Sequence, residues 1–426
     1  MSEERTFLER APEYTFALAA LVAPPLAVLV PLGMAVYLPI FGGLCAILFW
    51  RGGDFGLLPI APLILVAALC GWGAISLLWA MEIQSGALAI VRLAALSIAG
   101  SLSFALAGTI RLERFRFIVP AFTLGIFVAA VVLIIEVETG NGLSQLIFHI
   151  KAGPGQFLSS TQKSLLGRGG TVLALLIWPF IVLAWRARSH WAIGGIGIAM
   201  VALLLSDSLA GRLALAFGGA MFLLVRISPR IWLRVLKAAV VVCVLILPGV
   251  ISRAPQPPET FDSMPWLPLS AHHRLLIWHF AADRIAEHRM LGWGMDASRS
   301  IPGGDETVNL IDYYPVTHGT RRVINGNLMP LHPHNAILQC WLELGLGGAL
   351  ILAAFLWTMV GNVEKSAARD PLSAAGIAGC IVAALVVSAV SYGAWQSWWV
   401  STLWVVATFC RLTISEPLPS SGEPSI

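Results

Sequence analysis

The sequence predicts an all-α polytopic membrane protein, with about 12 transmembrane helices and one large extramembrane loop that carries short amphipathic helices. Of the 426 residues, 58% are hydrophobic and only 12% are charged, against about 25% charged residues in an ordinary soluble domain. A water-soluble fold cannot bury that much apolar surface, because the buried fraction grows slowly with chain length. Soluble enzymes and nucleic-acid-binding proteins are therefore excluded, and no nucleic acid partner is expected.

Twelve segments approach the length of about 20 mainly apolar residues that a transmembrane helix needs. The two shortest, 192–206 and 213–225, are alternatively re-entrant. The predicted spans are 14–32, 34–50, 57–79, 87–108, 117–136, 169–185, 192–206, 213–225, 235–251, 336–360, 373–392 and 397–411. They divide the chain into residues 1–251 with spans 1 to 9, a loop subdomain over 252–335, residues 336–411 with spans 10 to 12, and a tail over 412–426.

The distribution of lysine and arginine predicts the orientation, because cytoplasmic loops carry an excess of both. With the N-terminus in the cytoplasm, the cytoplasmic segments hold fifteen Lys and Arg residues and the short outer segments hold four. Long loops cross regardless of charge and are left out of this comparison. We therefore expect both termini in the cytoplasm and loop 252–335 on the outer face. Trp395, Trp398 and Trp399 are expected to form an interfacial aromatic belt there.

The loop contains one segment with helical spacing, SAHHRLLIWHFAADRIAEHRM, over residues 270–290. Leu276, Phe280 and Ile285 form an apolar stripe along it, which is typical of an amphipathic helix lying on the membrane surface. The following LGWGMDAS predicts a glycine turn.

Ionisable residues near the outer ends of the spans are the first candidates for function, since a charge at mid-membrane costs about 3 kcal/mol. Arg168, Arg212, Arg274, His332 and His334 all lie on the outer face in this topology. Guanidinium groups bind phosphate oxygens bidentately, and histidine is a natural general base near neutral pH. Alternatively, these residues have no role in function. Each arginine then extends its charged end to the membrane surface, and His334 is an interfacial residue with a satisfied hydrogen bond.

A polar stripe follows the two histidines, because Asn335, Gln339 and Glu343 share one face of the predicted tenth span. Such a stripe must face protein or water. It is either a helix cap with an inter-helix hydrogen bond or the floor of a polar cleft beneath a catalytic histidine. No cysteine or carboxylate ligand accompanies His332 and His334 at a usual spacing, so neither a metal nor another cofactor is expected.

Two segments carry a family resemblance. LHPHNAILQCWLELGLGG resembles the H-x-H-N-x-x-L…E-x-G-x-x-G signature of the bacterial O-antigen ligase and polymerase superfamily. HHRLLIWHFAADRIAEHRMLGWGMDASR is similar to that family's R-x-x-x-W…P-x-x-G-x-G segment. Arg274, Trp278, Gly292 and Gly294 are in place, and Met290 stands where the family usually has proline.

Two further segments resemble the same superfamily more loosely. SDSLAGRLAL is similar to its S-R-G stretch, with changed spacing around Arg212. GRGGTVLALLIWP, which begins beside Arg168, looks like the ligase version, whereas exopolysaccharide polymerases tend to show a Lys-Asn pair nearby. The resemblance therefore favours the ligase branch.

This resemblance implies a metal-independent, membrane-embedded glycosyltransferase at the periplasmic face of the bacterial inner membrane. It would transfer a glycan from undecaprenyl diphosphate to lipid A-core, with inversion at the anomeric carbon. It would also be in contact with membrane lipids. The implied catalytic residues are His334 as general base and Arg168 and Arg274 on the diphosphate. The implied substrate-binding residues are Arg212, His332, Asn335, Glu343 and Trp278.

Two other functions remain open at this point. A polymerase of the same superfamily would lengthen the lipid-linked glycan instead of transferring it to lipid A-core. A transporter for a lipid-linked sugar would need charges along a path through the bilayer, often with internal repeats. The charges here crowd one face, and no repeat is visible.

Overall fold

The computed structural model describes residues 7–110, 115–152, 165–206, 208–257, 259–313 and 321–414. Its helices are α1 (Phe7–Leu29), α2 (Met34–Gly52), α3 (Ile60–Ser76), α4 (Ile83–Ala107), α5 (Phe115–Glu138), α6 (Gly142–Ala152), α7 (Leu165–Arg186), α8 (His190–Leu205), α9 (Leu209–Ile227), α10 (Pro229–Ile251), α11 (Glu259–Ser263), α12 (Leu269–Glu287), α13 (Ala336–Ser366), α14 (Pro371–Val390) and α15 (Ser397–Thr413). Two strands, β1 (Thr307–Tyr313) and β2 (Arg321–Asn327), complete the elements.

The described chain is a helical membrane protein. Nine of its helices are long and apolar enough to cross a bilayer: α1, α2, α4, α5, α7, α9, α10, α13 and α14. The apolar helices α3 and α8 are shorter, and α15 has 17 residues. Each of the twelve predicted spans overlaps one of these twelve helices, while the number that crosses the membrane stays a prediction.

Helix α7 lies at the centre of the bundle and packs against α1, α5, α8, α9, α14 and α15. Its apolar residues are buried almost all the way round, including Leu173, Leu175 and Phe180. A helix that is apolar on every side and surrounded by protein is fixed in place by its neighbours. The first turn of α7, which carries Arg168, therefore has a defined position at one end of the bundle.

Several contacts identify the elements at this end. Ser208, before α9, bonds the Gly167 carbonyl at the start of α7. The loop residue Met295 donates its backbone N–H to the Ser76 hydroxyl at the end of α3, at 3.0 Å. At the opposite end, Arg186 pairs with Asp370.

The N-terminal end of α1 and the C-terminal end of α15 both lie at that opposite end. Tyr14 of α1 contacts Phe117 near the start of α5, with ring centroids 5.5 Å apart. Gly108, after α4, lies against Arg411 near the end of α15. The described chain thus begins and ends on the side away from the loop subdomain. Residues 412 and 413 of the predicted tail are helical, and 415–426 lie outside the described residues.

The loop subdomain differs from the prediction in two respects. It contains an antiparallel hairpin of β1 and β2, with Leu310 opposite Ile324, where only helices and turns were predicted. Helix α12 forms over the predicted segment, but Phe280 and Ile285 of the predicted stripe pack, together with Ile277, against α13 and α10. Leu276 is half-buried. Two of the three predicted stripe residues are therefore covered by protein and not, as had been predicted, by the membrane surface.

Helix α13 is broken at Gly345, whose φ of 60° and ψ of −154° are not helical. The break frees carbonyl groups, and the loop over 289–294 takes them up. Trp293 donates its N–H to the Leu342 carbonyl at 2.9 Å, and Gly294 donates to the Glu343 carbonyl at 2.8 Å. These hydrogen bonds dock the loop subdomain onto the membrane helices, since freed backbone groups inside a bundle need partners.

Candidate functional site

The His-Pro-His turn before α13 is held in an uncommon conformation. His334 has a φ of +53°, a left-handed conformation that is rare for residues with a side chain. Its N–H donates to Nδ1 of His332 at 3.1 Å, and the Trp278 indole donates to the Pro333 carbonyl at 2.9 Å. The turn is thus anchored from within and from α12, which gives Trp278 a positioning contact with the turn.

The hydrogen bond of His334 determines its tautomer. Nδ1 lies 2.8 Å from the Ser391 carbonyl oxygen, and a carbonyl can only accept. Nδ1 therefore carries the proton, and the lone pair of the neutral imidazole lies on Nε2. A histidine oriented in this way can accept a proton at Nε2.

The surroundings of His334 favour the neutral imidazole. Burial lowers the pKa of His334 from its ordinary 6.5 to about 4, and electrostatic interactions with Arg274, His273 and Arg168 act in the same direction. The hydrogen bond to Ser391 opposes this shift. Burial likewise lowers the pKa of His332 to about 3, with His334, Arg299 and Arg168 adding to the effect. Both rings are unprotonated at neutral pH, and their centroids lie 4.4 Å apart.

Arg168 and Arg274 reach this cluster from two different elements. The Arg168 guanidinium lies over the Trp398 ring, 5.6 Å from its centroid. Burial lowers the pKa of Arg274, whose charge acts on His334 and on Tyr392. The ion pairs among the described residues join other side chains. Two partly buried guanidinium groups without a described carboxylate partner form an environment suited to an anion.

Arg212 is not brought into this cluster. It lies on the first turns of α9, and its side chain is exposed. The start of α9 contacts the start of α7 through Ser208 and Gly167. Within the described chain, however, the charges that act on His334 come from Arg274, His273 and Arg168 and not from Arg212.

The polar stripe of α13 is bonded to protein along its length. The Asn335 carboxamide oxygen caps the helix by accepting the N–H groups of Ile337 and Leu338, at 3.0 Å each. Gln339 accepts the Ala394 N–H at 2.7 Å and donates to Glu343 at 2.9 Å. These contacts favour the helix cap with inter-element hydrogen bonds over a cleft floor.

Glu343 is fully buried and accepts four hydrogen bonds. One oxygen accepts from the Ser298 hydroxyl at 2.5 Å and from the Gln339 amide. The other accepts from the Asp296 N–H at 2.7 Å and from the Trp395 indole at 2.6 Å. The carboxylate therefore joins the loop turn 296–298 to the link between α14 and α15. It is a structural anchor below the histidines.

The glycines of the resemblance are required by a close crossing of two backbone segments. Gly292 and Gly294 have φ of +71° and +100°. A Cβ on Gly292 would lie 2.4 Å from the Glu343 carbonyl carbon, and one on Gly345 would lie 2.4 Å from the Met290 carbonyl oxygen. The turn forms with Met290 in place of proline.

The link between α14 and α15, residues 391–396, belongs to the site although it was not predicted to. Ser391 accepts from His334, and the Gln396 amide nitrogen lies 2.9 Å from Nε2 of His332. Tyr392 is buried, and its hydroxyl lies 2.9 Å from that of Thr171. A polar pair, Ser391 and Tyr392, at the end of an apolar span was the available signal.

The three tryptophans predicted to form an aromatic belt at the membrane interface lie inside the protein instead. Trp398 and Trp399 are buried against Tyr392, and Trp395 bonds Glu343. They are part of the protein core and not an aromatic belt at the membrane interface, because the link 391–396 folds inward over α13.

His332 and His334 are not joined by a metal-binding group in the part of the chain that the structure describes, where no three His, Cys, Asp or Glu side chains converge on a possible ion site. What the described cluster offers is one oriented neutral imidazole beside two guanidinium groups. This combination can accept a proton and bind an anion at the same place.

Comparisons with known proteins point to one superfamily. A family model described as O-antigen ligase matches residues 194–353. The chain is 28% identical over 310 residues to a Rickettsia conorii protein named "Putative polysaccharide ligase", covering 72% of this chain and 69% of that protein. It is 30% identical over 274 residues to a protein of the same name from Rickettsia felis, covering 61% of this chain and 63% of that one. The chain thus spans less than two thirds of the second relative.

The matched region contains Arg212, Arg274, Trp278, the two histidines and Glu343, so it includes most of the motif residues on which the resemblance was based. The names of the relatives and the family description agree in describing a ligase, of polysaccharide in one case and of O-antigen in the other. Together with the helical membrane fold, these matches support the resemblance of residues 194–353 to the O-antigen ligase superfamily.

Proposed function

We propose that the protein is an O-antigen ligase, which transfers a glycan from undecaprenyl diphosphate to a hydroxyl group of lipid A-core. The observation that carries this proposal is the His334 imidazole, oriented by the Ser391 carbonyl and lying within electrostatic reach of Arg168 and Arg274. A base for the acceptor hydroxyl and cations for a diphosphate leaving group are the two requirements of direct glycosyl transfer.

The proposed reaction is a single displacement without a metal ion. Nε2 of His334 takes the proton of the acceptor hydroxyl, whose oxygen forms a bond to the anomeric carbon on the face opposite the diphosphate. The bond from the anomeric carbon to the diphosphate oxygen breaks, and undecaprenyl diphosphate leaves with the electron pair. Attack from the opposite face inverts the anomeric centre. Arg168 and Arg274 stabilise the negative charge that grows on the leaving group.

The electrostatics of the site connect donor binding with the strength of the base. In the free protein, burial and the charges of Arg274 and Arg168 lower the pKa of His334 to about 4. A bound diphosphate brings negative charge against the same guanidinium groups and favours the protonated imidazole. The pKa of His334 therefore rises when the donor binds, and the imidazole becomes a stronger base when there is a substrate to use it.

We further propose that the site is periplasmic, in the inner membrane, with both termini in the cytoplasm. The end of the bundle away from the site carries Arg186, Arg234 and Lys237, each paired with a carboxylate. An excess of basic residues on that side fits the cytoplasmic face. A cysteine introduced at exposed Trp266 of the loop subdomain (W266C) should react with a membrane-impermeant thiol reagent added to the periplasmic side. Reaction only after the inner membrane is opened would reverse the orientation.

The direct test is transfer by the purified protein from a glycan-loaded undecaprenyl diphosphate to lipid A-core, comparing wild type with His334→Gln. We expect wild type to transfer and H334Q to lose at least about 100-fold in kcat, the usual lower range for removing a general base. Wild-type turnover in H334Q would end the assignment of the base. A product in which the glycan is lengthened on undecaprenyl diphosphate, with no transfer to lipid A-core, would make the protein a polymerase. Accumulation of the donor on the other side of a vesicle without transfer would make it a transporter.

A further inference from the structure

The side chain of Gln396 lies between the His-Pro-His turn and helix α15. Its backbone carbonyl accepts the N–H groups of Trp399 and Val400, at 2.9 and 3.0 Å, and so begins that helix. One end of its amide group lies 2.9 Å from Nε2 of His332, and the other end lies 3.1 Å from the indole nitrogen of Trp398. Gln396 is therefore fixed to α15 by its backbone and reaches the histidines with its side chain.

The tautomer of His332 follows from its contact with the next histidine. A backbone N–H can only donate, and that of His334 lies 3.1 Å from Nδ1 of His332, so Nδ1 is an acceptor without a proton. Burial lowers the pKa of His332 to about 3, and electrostatic interactions with His334, Arg299 and Arg168 act in the same direction. The neutral ring has a single N–H, which is therefore on Nε2 and is directed at the amide group of Gln396.

An amide side chain fits its site in two orientations that exchange its oxygen and its nitrogen, and the surrounding hydrogen bonds decide between them. With the nitrogen of Gln396 towards His332, two N–H groups face each other unless the imidazole proton moves to Nδ1. Nδ1 can then no longer accept from the His334 N–H. With the oxygen towards His332, the proton on Nε2 has an acceptor and the hydrogen bond from His334 is kept.

Each orientation leaves one N–H group facing another, either at His334 or at Trp398. The His334 N–H belongs to a turn that is held on both sides, through the carbonyl of Pro333 and through the ring of His334 itself. The Trp398 indole and the Gln396 amide are side-chain groups, which adjust by rotation about single bonds. The amide oxygen therefore faces His332, and the amide NH2 group takes the place beside the indole.

We infer that Gln396 is a positioning residue, whose amide oxygen holds the proton of His332 on Nε2 and so keeps Nδ1 available to accept the His334 N–H. This inference rests on the proposed function, because the turn is taken to orient the general base. Gln396 acts through His332 and not on the reacting atoms. It supports the turn in which His334 has its φ of +53°, and it should therefore affect the chemical step more than donor binding.

The first measurement is the tautomer of His332 in the purified full-length protein, labelled with 15N-histidine. The 15N chemical shifts of an imidazole distinguish a protonated nitrogen from an unprotonated one, and the loss of signals in His332→Phe identifies this ring. We expect the proton on Nε2. A proton on Nδ1 would overturn the inference, whatever the transfer activity of the protein.

The second measurement compares Gln396→Leu, which removes the amide at similar size, with Ser388→Ala. Ser388 is a matched control, because its hydroxyl accepts the Trp399 indole at 3.3 Å and so joins α14 to α15. Q396L should lower kcat about tenfold, as for the loss of one hydrogen bond, with the donor KM unchanged and without the preference of His332 for a proton on Nε2. S388A should keep the wild-type kcat, KM and tautomer.

The outcomes separate this inference from the proposed function. If Q396L keeps the wild-type kcat and tautomer, or if S388A loses as much kcat as Q396L, the role of Gln396 is overturned while the ligase proposal stands. If wild type transfers nothing, the ligase proposal is overturned, and the tautomers of wild type and Q396L still decide the role of Gln396. Should Q396L fail to fold, Gln396→Glu replaces it. Its carboxylate can only accept, so a proton on Nδ1 of His332 in Q396E would overturn the inference, and a proton on Nε2 would support it.

Discussion

Replacing Glu343 with glutamine should weaken the docking of the loop subdomain, and the structure allows the size of the effect to be worked out. The buried carboxylate accepts from Ser298, Gln339, Asp296 and Trp395. A glutamine keeps the shape but has only one oxygen, and its NH2 group cannot accept. At least one of the four donors then loses its acceptor in a buried place.

The amide of Gln339 is the donor with least freedom to adapt. Its oxygen already accepts the Ala394 N–H at 2.7 Å, so its NH2 group stays directed at position 343. One buried unpaired donor costs about 1–3 kcal/mol, which is the expected loss for E343Q. Glu343→Ala would leave four donors unpaired, at about 4–12 kcal/mol in total, a value comparable with the entire stability of a typical domain.

The assay is thermal unfolding of the purified protein in detergent, together with transfer activity. We expect unfolding temperatures in the order wild type, E343Q, E343A, with activity falling in the same order. Glu364→Gln is the control, since Glu364 pairs with Arg234 and Lys237 at the opposite end of the bundle and pairs of this kind contribute about 0–1 kcal/mol. If E343Q unfolds at the wild-type temperature and transfers at the wild-type rate, the anchoring role of the carboxylate is refuted.

Three further predictions follow from the same geometry. Arg274→Lys should lower kcat/KM at least about tenfold, because an ammonium group cannot reproduce the bidentate contact of a guanidinium with a diphosphate; wild-type kinetics would move the anion site elsewhere. Gly345→Ala should lower the unfolding temperature, because the φ of +60° at this position and the nearby Met290 carbonyl leave no room for a Cβ. Gly361→Ala in the same helix is the control. A Cβ there meets nothing within 4 Å, so this variant should be neutral or slightly stabilising. On the acid side, kcat/KM should fall as the pH drops through the pKa of His334 in the free protein, which is about 4. The fall in kcat should occur at a higher pH, because the bound donor raises the pKa of His334. A kcat/KM limb at the ordinary 6.5 would contradict the burial of the base.

The sequence alone predicts the class of the protein and the residues of its principal motif. The high apolar content and the low charge require a membrane environment, and each predicted span overlaps a helix, because both follow from hydrophobicity over local stretches of chain. Asn335 has the side chain of a helix N-cap and acts as one, since capping depends on neighbours within three residues.

The structure alone decides how the distant parts meet. The Ser391 carbonyl that orients His334 comes from a residue 57 positions away, and Tyr392 bonds a threonine 221 positions away. Local patterns carry no information about such partners. For the same reason α12 appeared to be a membrane-surface helix, because an apolar stripe has the same appearance in a sequence whether lipid or α13 covers it.

The sequence thus determined which chemical groups the protein possesses and in which solvent it folds, since these depend on composition and on short-range periodicity. The tertiary structure decided which nitrogen of His334 is free, which carboxylate is an anchor, and that Tyr392 meets Thr171 of α7. The physical reason is that hydrogen bonds and electrostatic interactions depend on distances in space, and packing of the helices sets those distances.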